Sequence, residues 1–108
     1  MIHHLALRTH DVDRLVAFYR EWFGLHEVRD SRPRSVWLGL GEGVLMIELA
    51  NESEPSIAAG SLELLAFRVT VEQRQALRAR VVLEAETEHT LYFRDPDGRR
   101  VAVSSYPL

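Results

Sequence analysis

Hydrophobic and polar residues alternate with a period of two at the start of the chain. Leu5 and Leu7 fall on one face of this stretch, whereas His4 and Arg8 fall on the other. The alternation predicts a strand over about residues 2–9. Its apolar face would lie under a helix, and its polar face would direct an imidazole and a guanidinium toward a ligand or solvent.

A helical pattern follows the first strand. Apolar residues recur there at helical spacing, Asp11 supplies an N-cap, and Gly24 stands where a left-handed residue ends a helix. These signals predict a helix over 12–23. Because its apolar stripe is broad and aromatic, we expect it to pack against a sheet as core.

Three strands complete the first half of the chain. The pattern predicts them at about 25–30, 35–40 and 44–50, with a tight turn at 41–43. Glu48 interrupts the last of these strands, on the face shared by Val44, Met46 and Ala50. A carboxylate in an otherwise apolar strand requires a partner or water.

The order of elements repeats after a linker. Residues 51–60 have a linker composition, and Thr70 with Gln73 forms a capping-box signature before a second helix. The predicted elements are a strand at 62–69, a helix at 71–80, strands at 82–85, 89–94 and 100–106, and a turn at 95–98. The repeated order βαβββ indicates an internal duplication, in which Leu64 takes the place of His4.

Composition narrows the classes of function. The 108 residues suffice for one domain with a core, and the net charge of −3 argues against binding to a nucleic-acid backbone. The chain has no cysteine, which excludes disulfides and thiolate chemistry. Its apolar stretches are too short to cross a bilayer, and no signal sequence is recognisable. We therefore expect a cytoplasmic protein that binds neither membranes nor nucleic acid.

The chain resembles the vicinal oxygen chelate superfamily, which contains glyoxalase I, extradiol dioxygenases and bleomycin-resistance proteins. The resemblance rests on residues 4–7, Asp11, Phe18-Tyr19, Gly24-Leu25, 47–49 and 93–98. It implies an α+β fold of two βαβββ modules, about 1–50 and 61–108, whose curved mixed sheets enclose a cavity. It also implies a homodimer. On pattern alone, the rival fold is a ferredoxin-like α+β barrel dimer.

The resemblance also implies a position for a metal. Family enzymes that use a metal take one His and one Glu from each module, and His4 and Glu48 match the ligands of the first module. Leu64 and Ala102 stand at the second pair of positions and cannot ligate. A third ligand would have to come from His89, His26 or a second chain. The cofactor would then be one divalent ion (Zn, Ni, Fe or Mn), serving a lyase, an isomerase or a dioxygenase.

Two readings of His4 and Glu48 need no metal. The two side chains would act as an acid–base pair, because a carboxylate beside an imidazole favours its protonated form. Alternatively, they are the hydrogen-bonded remnant of an ancestral site. The residues leave both readings open.

A third reading is a binding protein, which is the leading hypothesis. Bleomycin-resistance-like relatives sequester a drug without metal chemistry. Apolar walls with a few fixed cations suit a small anionic or aromatic molecule. The candidate ligand-binding residues are Arg8, Trp37, Met46, Arg68, Tyr92, Ala102 and Tyr106, with Arg100 as a further cavity-facing cation. For any one arginine the alternative is a solvated charge or a salt bridge to one of 16 acidic residues.

Overall fold

A computed structural model describes residues 1–108, which divide into two compact units, Met1–Ser56 and Ile57–Leu108. Each unit contains one helix and one four-stranded sheet. The elements of the first unit are β1 (His4–Thr9), α1 (Val12–Phe23), β2 (Glu27–Ser31), β3 (Ser35–Leu40) and β4 (Gly43–Leu49). Those of the second are β5 (Leu64–Arg68), α2 (Val71–Arg78), β6 (Ala85–Glu86), β7 (Thr90–Arg94) and β8 (Arg100–Ser104). The predicted α+β class and the repeated βαβββ order are confirmed.

Sheet A, formed by β1–β4, has the strand order β1-β4-β3-β2. β1 runs parallel to β4, and the other neighbours are antiparallel. The Asp11 side chain accepts a hydrogen bond from the Arg14 N–H, and Gly24 adopts a left-handed φ of 66°. Because both caps are encoded, α1 begins and ends as predicted.

The core of the first unit lies between α1 and one face of sheet A. The buried helix residues belong to its apolar stripe, and they meet strand residues that have no exposed surface. This core contains Val12, Leu15, Val16 and Tyr19 from α1 with Val36, Leu38, Leu45 and Ile47 from β3 and β4. The strand residues between them point to the opposite face, which α1 leaves open.

Sheet B, formed by β5–β8, repeats the arrangement as β5-β8-β7-β6, again with its first strand parallel to its last. The predicted capping box of α2 is confirmed, since Thr70 and Gln73 each bond the backbone N–H of the other. Unlike α1, α2 contributes no buried residue. Side chains of the strands therefore supply the buried core of this unit: Leu91, Phe93, Val101, Ala102 and Val103.

The predicted turn between β7 and β8 is built around Asp95, whose side chain is 0% exposed. Its carboxylate accepts hydrogen bonds from the backbone N–H groups of Asp97 at 2.9 Å and Arg99 at 3.0 Å. It also pairs with the Arg99 guanidinium. One carboxylate thus satisfies most of the donors that the turn would otherwise bury.

The structure departs from the predicted element bounds in both units. In the first unit β2 covers Glu27–Ser31 rather than 25–30. In the second unit the helix ends at Arg78 rather than at residue 80. No glycine or proline follows it, so the sequence contains no signal for the position of its end. The short strand predicted at 82–85 lies instead at Ala85–Glu86, where it pairs with β7. Residues 81–83 are all apolar, so their pattern does not distinguish a strand from a loop. No helix has both the length and the apolar character to span a membrane.

Candidate functional site

The open face of sheet A carries a row of polar side chains at the carboxyl end of β1. Arg8 lies level with Glu48 across the parallel pair, and Glu48 lies level with Ser35 across the antiparallel pair. Directly opposed residues point to the same face of a sheet. The row therefore places a guanidinium, a carboxylate and a hydroxyl side by side on three adjacent strands.

Glu54 fixes Arg8 from the segment that follows β4. The Arg8 Nε and Nη2 atoms each donate to Glu54 at 2.8 Å, in a two-pronged ion pair. Arg8 Nη1 lies 3.7 Å from a Glu48 oxygen. The hydrogen bonds from Arg8 lower the pKa of Glu54 below its ordinary value, and the same bonds raise the pKa of Arg8. Two carboxylates thus compensate the charge of Arg8.

A cavity of about 240 Å³, here called the polar cavity, opens beside this row. It is lined by Arg8, Arg34, Ser35, Glu48, Leu49, Ala50 and Asn51. The backbone that frames it is held by the Leu49 N–H, which donates to the Arg34 carbonyl at 2.8 Å. Sequence patterns indicate Arg8 and Glu48 as candidates but not Arg34 and Asn51, which lie in loops without periodicity.

His4 lies apart from Glu48. It is level with Val44, whereas Glu48 is level with Arg8, a separation of four residues, or about 13 Å along the strands. The Nδ1 atom of His4 lies 2.9 Å from that of His3, and no His, Asp or Glu residues gather in threes as a metal site requires. The side chains that this chain brings together therefore do not fit a complete metal centre.

Trp37 and Met46 form the apolar part of the open face of sheet A. They are level with each other on β3 and β4, and both are half-buried. The Arg29 guanidinium lies 5.0 Å from the centroid of the Trp37 ring, within cation–π range. The face thus offers an aromatic surface a short way along the strands from the row of Arg8, Glu48 and Ser35.

The corresponding face of sheet B carries a compact ionic cluster. Glu84 accepts hydrogen bonds from Arg94, at 2.8 Å, and from Arg100, at 3.3 Å. The Arg100 guanidinium lies 4.1 Å from the centroid of the Tyr92 ring. Bonding to Arg94 lowers the pKa of Glu84. Arg100 and Tyr92, two of the predicted candidates, are thus in direct contact.

The remaining candidates lie in different surroundings. Arg68, at the end of β5, is exposed and level with Ser104. Ala102 has no exposed surface. Tyr106 follows β8 and is 61% exposed. Its ring lies edge-on to the His89 ring, with 5.3 Å between the two ring centroids. Leu64, which occupies the place of a second histidine, is 44% exposed.

Comparison with known proteins agrees with this architecture. A sequence model of the Glyoxalase/Bleomycin resistance protein/Dioxygenase superfamily matches residues 1–103. No curated protein matches the sequence at a significant level.

Solved structures share the fold at low sequence identity. A lactoylglutathione lyase from Agrobacterium tumefaciens is 24% identical, with a TM-score of 0.73 over 96% of this chain and 92% of its own. A variant of the fosfomycin resistance protein FosX from Listeria monocytogenes, complexed with Mn(II) and 1S,2S-dihydroxypropylphosphonic acid, is 18% identical. Its TM-score is 0.84 over 100% of this chain and 91% of its own. A possible glyoxalase from Bacillus cereus is 21% identical, with a TM-score of 0.75 over 96% of this chain and 97% of its own.

Proposed function

The chain belongs to the glyoxalase/bleomycin resistance protein/dioxygenase superfamily, and from this premise we propose that it binds a small organic molecule. The ligand is an anion or a polar aromatic compound, and it contacts the open, helix-free face of a sheet. Because fold alone does not fix chemistry, the proposal rests on the residues of that face.

The open face of sheet A is the observation that carries the proposal. Trp37 and Met46 are half-buried there although no helix covers them, and the polar row containing Arg8 lies beside them. An aromatic surface next to fixed charges is the usual composition of a small-molecule site. On sheet B, Tyr92 with its stacked Arg100 offers a second surface of the same kind.

A thermal-shift screen followed by a fluorescence titration tests this proposal. The screen contains aromatic antibiotics, thiol conjugates and divalent metals. We expect an organic compound to raise the Tm and to change the tryptophan emission. The two tryptophans provide a matched pair, because Trp37 lies on the open face of sheet A and Trp22 lies on α1.

The variants separate a specific site from general adsorption. In Trp22→Phe the ligand-dependent change in emission should persist, and in Trp37→Phe it should be lost. A change that disappears in Trp22→Phe and persists in Trp37→Phe would contradict binding at this face. A screen in which no organic compound raises the Tm would contradict the proposal as a whole.

The competing candidate is a metal-dependent lyase, isomerase or dioxygenase that uses His4 and Glu48. It is favoured by the Mn(II) complex of the related FosX variant. Since His4 and Glu48 are four register positions apart, this candidate needs further ligands, with a second chain as one source. When bound, a divalent ion would supply Lewis-acid chemistry. Metal analysis of protein purified without chelator, compared with His4→Ala and Glu48→Gln, decides it. Protein that remains metal-free after incubation with divalent ions would end this candidate.

We also propose that the chain forms a homodimer. β1 and β5 are edge strands, and Leu5 and Leu64 on them are 38% and 44% exposed. Unpaired strand edges with apolar side chains favour association with another chain. Sedimentation velocity should show a dimer at micromolar concentration that Leu5→Asp weakens. Val82→Asp is the matched control, since Val82 lies in a loop and is 92% exposed. A monomeric parent protein would contradict the proposal.

A further inference from the structure

The polar cavity contains hydrogen-bond donors that the chain itself does not use. The Arg34 guanidinium, the Ser35 hydroxyl and the Asn51 side-chain amide line it, and none of them forms a side-chain hydrogen bond or ion pair within the protein. The backbone of Arg34 is held at the edge of the cavity by the bond from the Leu49 N–H to the Arg34 carbonyl. Three side chains with unused hydrogen-bond donors thus line the polar cavity.

Arg34 differs from Arg8, the other arginine of the polar cavity, because no carboxylate of the chain pairs with it. More than half of the arginines pair with carboxylates, as Arg8 does with Glu54 and Arg94 with Glu84. The exceptions with unpaired guanidinium groups include Arg14 and Arg68, neither of which lines the polar cavity. Arg34 is therefore the cation whose charge remains available to a ligand in this cavity.

The chemistry of these donors indicates the class of ligand. A guanidinium offers a planar fork of N–H donors that matches the two oxygens of a carboxylate or phosphonate, and hydroxyl and amide groups add single donors. We propose that the polar cavity binds the oxyanion group of a small organic acid through Arg34, Ser35 and Asn51. This inference rests on the proposed small-molecule function and gives it an anchoring group.

Glu48 indicates that the ligand carries a hydrogen-bond donor beside its oxyanion group. Its carboxylate is 33% exposed in the same cavity and lies 3.7 Å from Arg8, so that it keeps acceptor capacity for a further donor. A hydroxyl or ammonium group next to the oxyanion would satisfy it. The cavity volume of about 240 Å³ is below the range typical of drug-sized ligands. The ligand group that enters is thus small, such as a hydroxy acid or an amino acid.

An NMR titration of the full chain tests this inference. The probes are glycolate and methylphosphonate, added at constant ionic strength to ¹⁵N-labelled protein, with chloride as the reference anion. We expect saturable shifts of the backbone amides at residues 34–35 and 48–51. Arg34→Gln should weaken binding by at least about tenfold, because it removes a charged hydrogen-bonding partner. Arg34→Lys, which keeps the charge but loses the fork, should give a smaller loss.

Arg14→Gln is the matched control, since Arg14 is an exposed arginine of α1 that lies outside the cavity. Equal weakening in Arg14→Gln and Arg34→Gln would reveal nonspecific attraction and overturn the inference. Shifts confined to Trp37 and Met46 that persist in Arg34→Gln would also overturn it, while leaving the proposed function intact. No saturable shift with either probe would overturn it as well, and the fluorescence titration at Trp37 would then decide the proposed function separately.

Discussion

At the scale of single residues, carboxylates decide the local structure of this protein. Asp95 organises the turn between β7 and β8, Glu54 fixes Arg8, and Glu84 joins Arg94 to Arg100. Each of them accepts several hydrogen bonds at once. Asp95 differs from the other two because its side chain is fully buried, so that the loss of its bonds cannot be compensated by water.

Asp95→Ala should lower the free energy of unfolding by about 2–4 kcal/mol, because it leaves buried N–H donors and the Arg99 guanidinium without their acceptor. Urea denaturation followed by circular dichroism measures the change. Asp97→Ala serves as the control, since the Asp97 side chain is 24% exposed and pairs only with Arg99. Equal losses in the two variants would contradict the assigned role of Asp95.

At the scale of elements, the two helices of the repeated βαβββ pattern contribute unequally. α1 buries a full apolar stripe against sheet A, whereas α2 buries no residue. α2 is tied down by polar contacts instead: Arg74 donates to the Ser105 hydroxyl at 2.9 Å, and Arg78 pairs with Glu86. Short helices gain most of their stability from apolar packing, and α2 has little of it because its Leu77 is only half-buried.

Hydrogen exchange should therefore distinguish the two helices. We expect the amides of α2 to exchange faster than those of α1, because local opening of α2 exposes little buried surface. Thr70→Ala should speed exchange in α2 further by removing the cap, at a local cost of about 1 kcal/mol. Thr70→Ser, which keeps the capping oxygen, is the control. Equal protection of the two helices in the parent protein would contradict this account.

At the scale of the whole molecule, both units contain ion pairs between arginines and carboxylates. Because hydrogen bonds or ion pairs with arginine favour the charged form of a carboxylate, they lower its pKa. The pKa is lowered in this way for Glu27, Glu54, Glu84 and Glu86. The pKa of Asp30 is lowered first by a hydrogen bond from the Arg32 backbone N–H and then by the Arg32 side chain. These groups bind fewer protons in the folded than in the unfolded chain, so that their contribution to stability is present above the unfolded pKa.

Stability should consequently fall as the pH drops below about 4.5, the ordinary pKa of a glutamate, toward the lowered values. Measuring the Tm between pH 6 and pH 3, over roughly the range in which carboxylates titrate, tests this expectation. Glu84→Gln removes one such group, so its deficit relative to the parent protein should shrink as the pH falls. A deficit that stays constant with pH would contradict the linkage.

The fold was more predictable from the sequence than the site was. Both ends of α1 are encoded by short-range signals, Asp11 and Gly24, and the repeated order of elements follows from local patterns. The register between strands is not local. That Glu48 lies level with Arg8, while His4 lies level with Val44, depends on how β1 docks onto β4. The contribution of Arg34 and Asn51 depends on loop conformation, for which no periodicity exists.

The parallel pairing of the first strand with the last in each unit also constrains the order of events during synthesis. His4 pairs with Val44, and Leu64 pairs with Arg100. The first strand of each unit therefore cannot form its sheet contacts until the last strand has been synthesised. Contacts so distant along the chain form late and slowly. On the ribosome, the first unit becomes able to complete its sheet once β4 has emerged, before the second unit has been translated. Until then, β1 is an unpaired nascent segment.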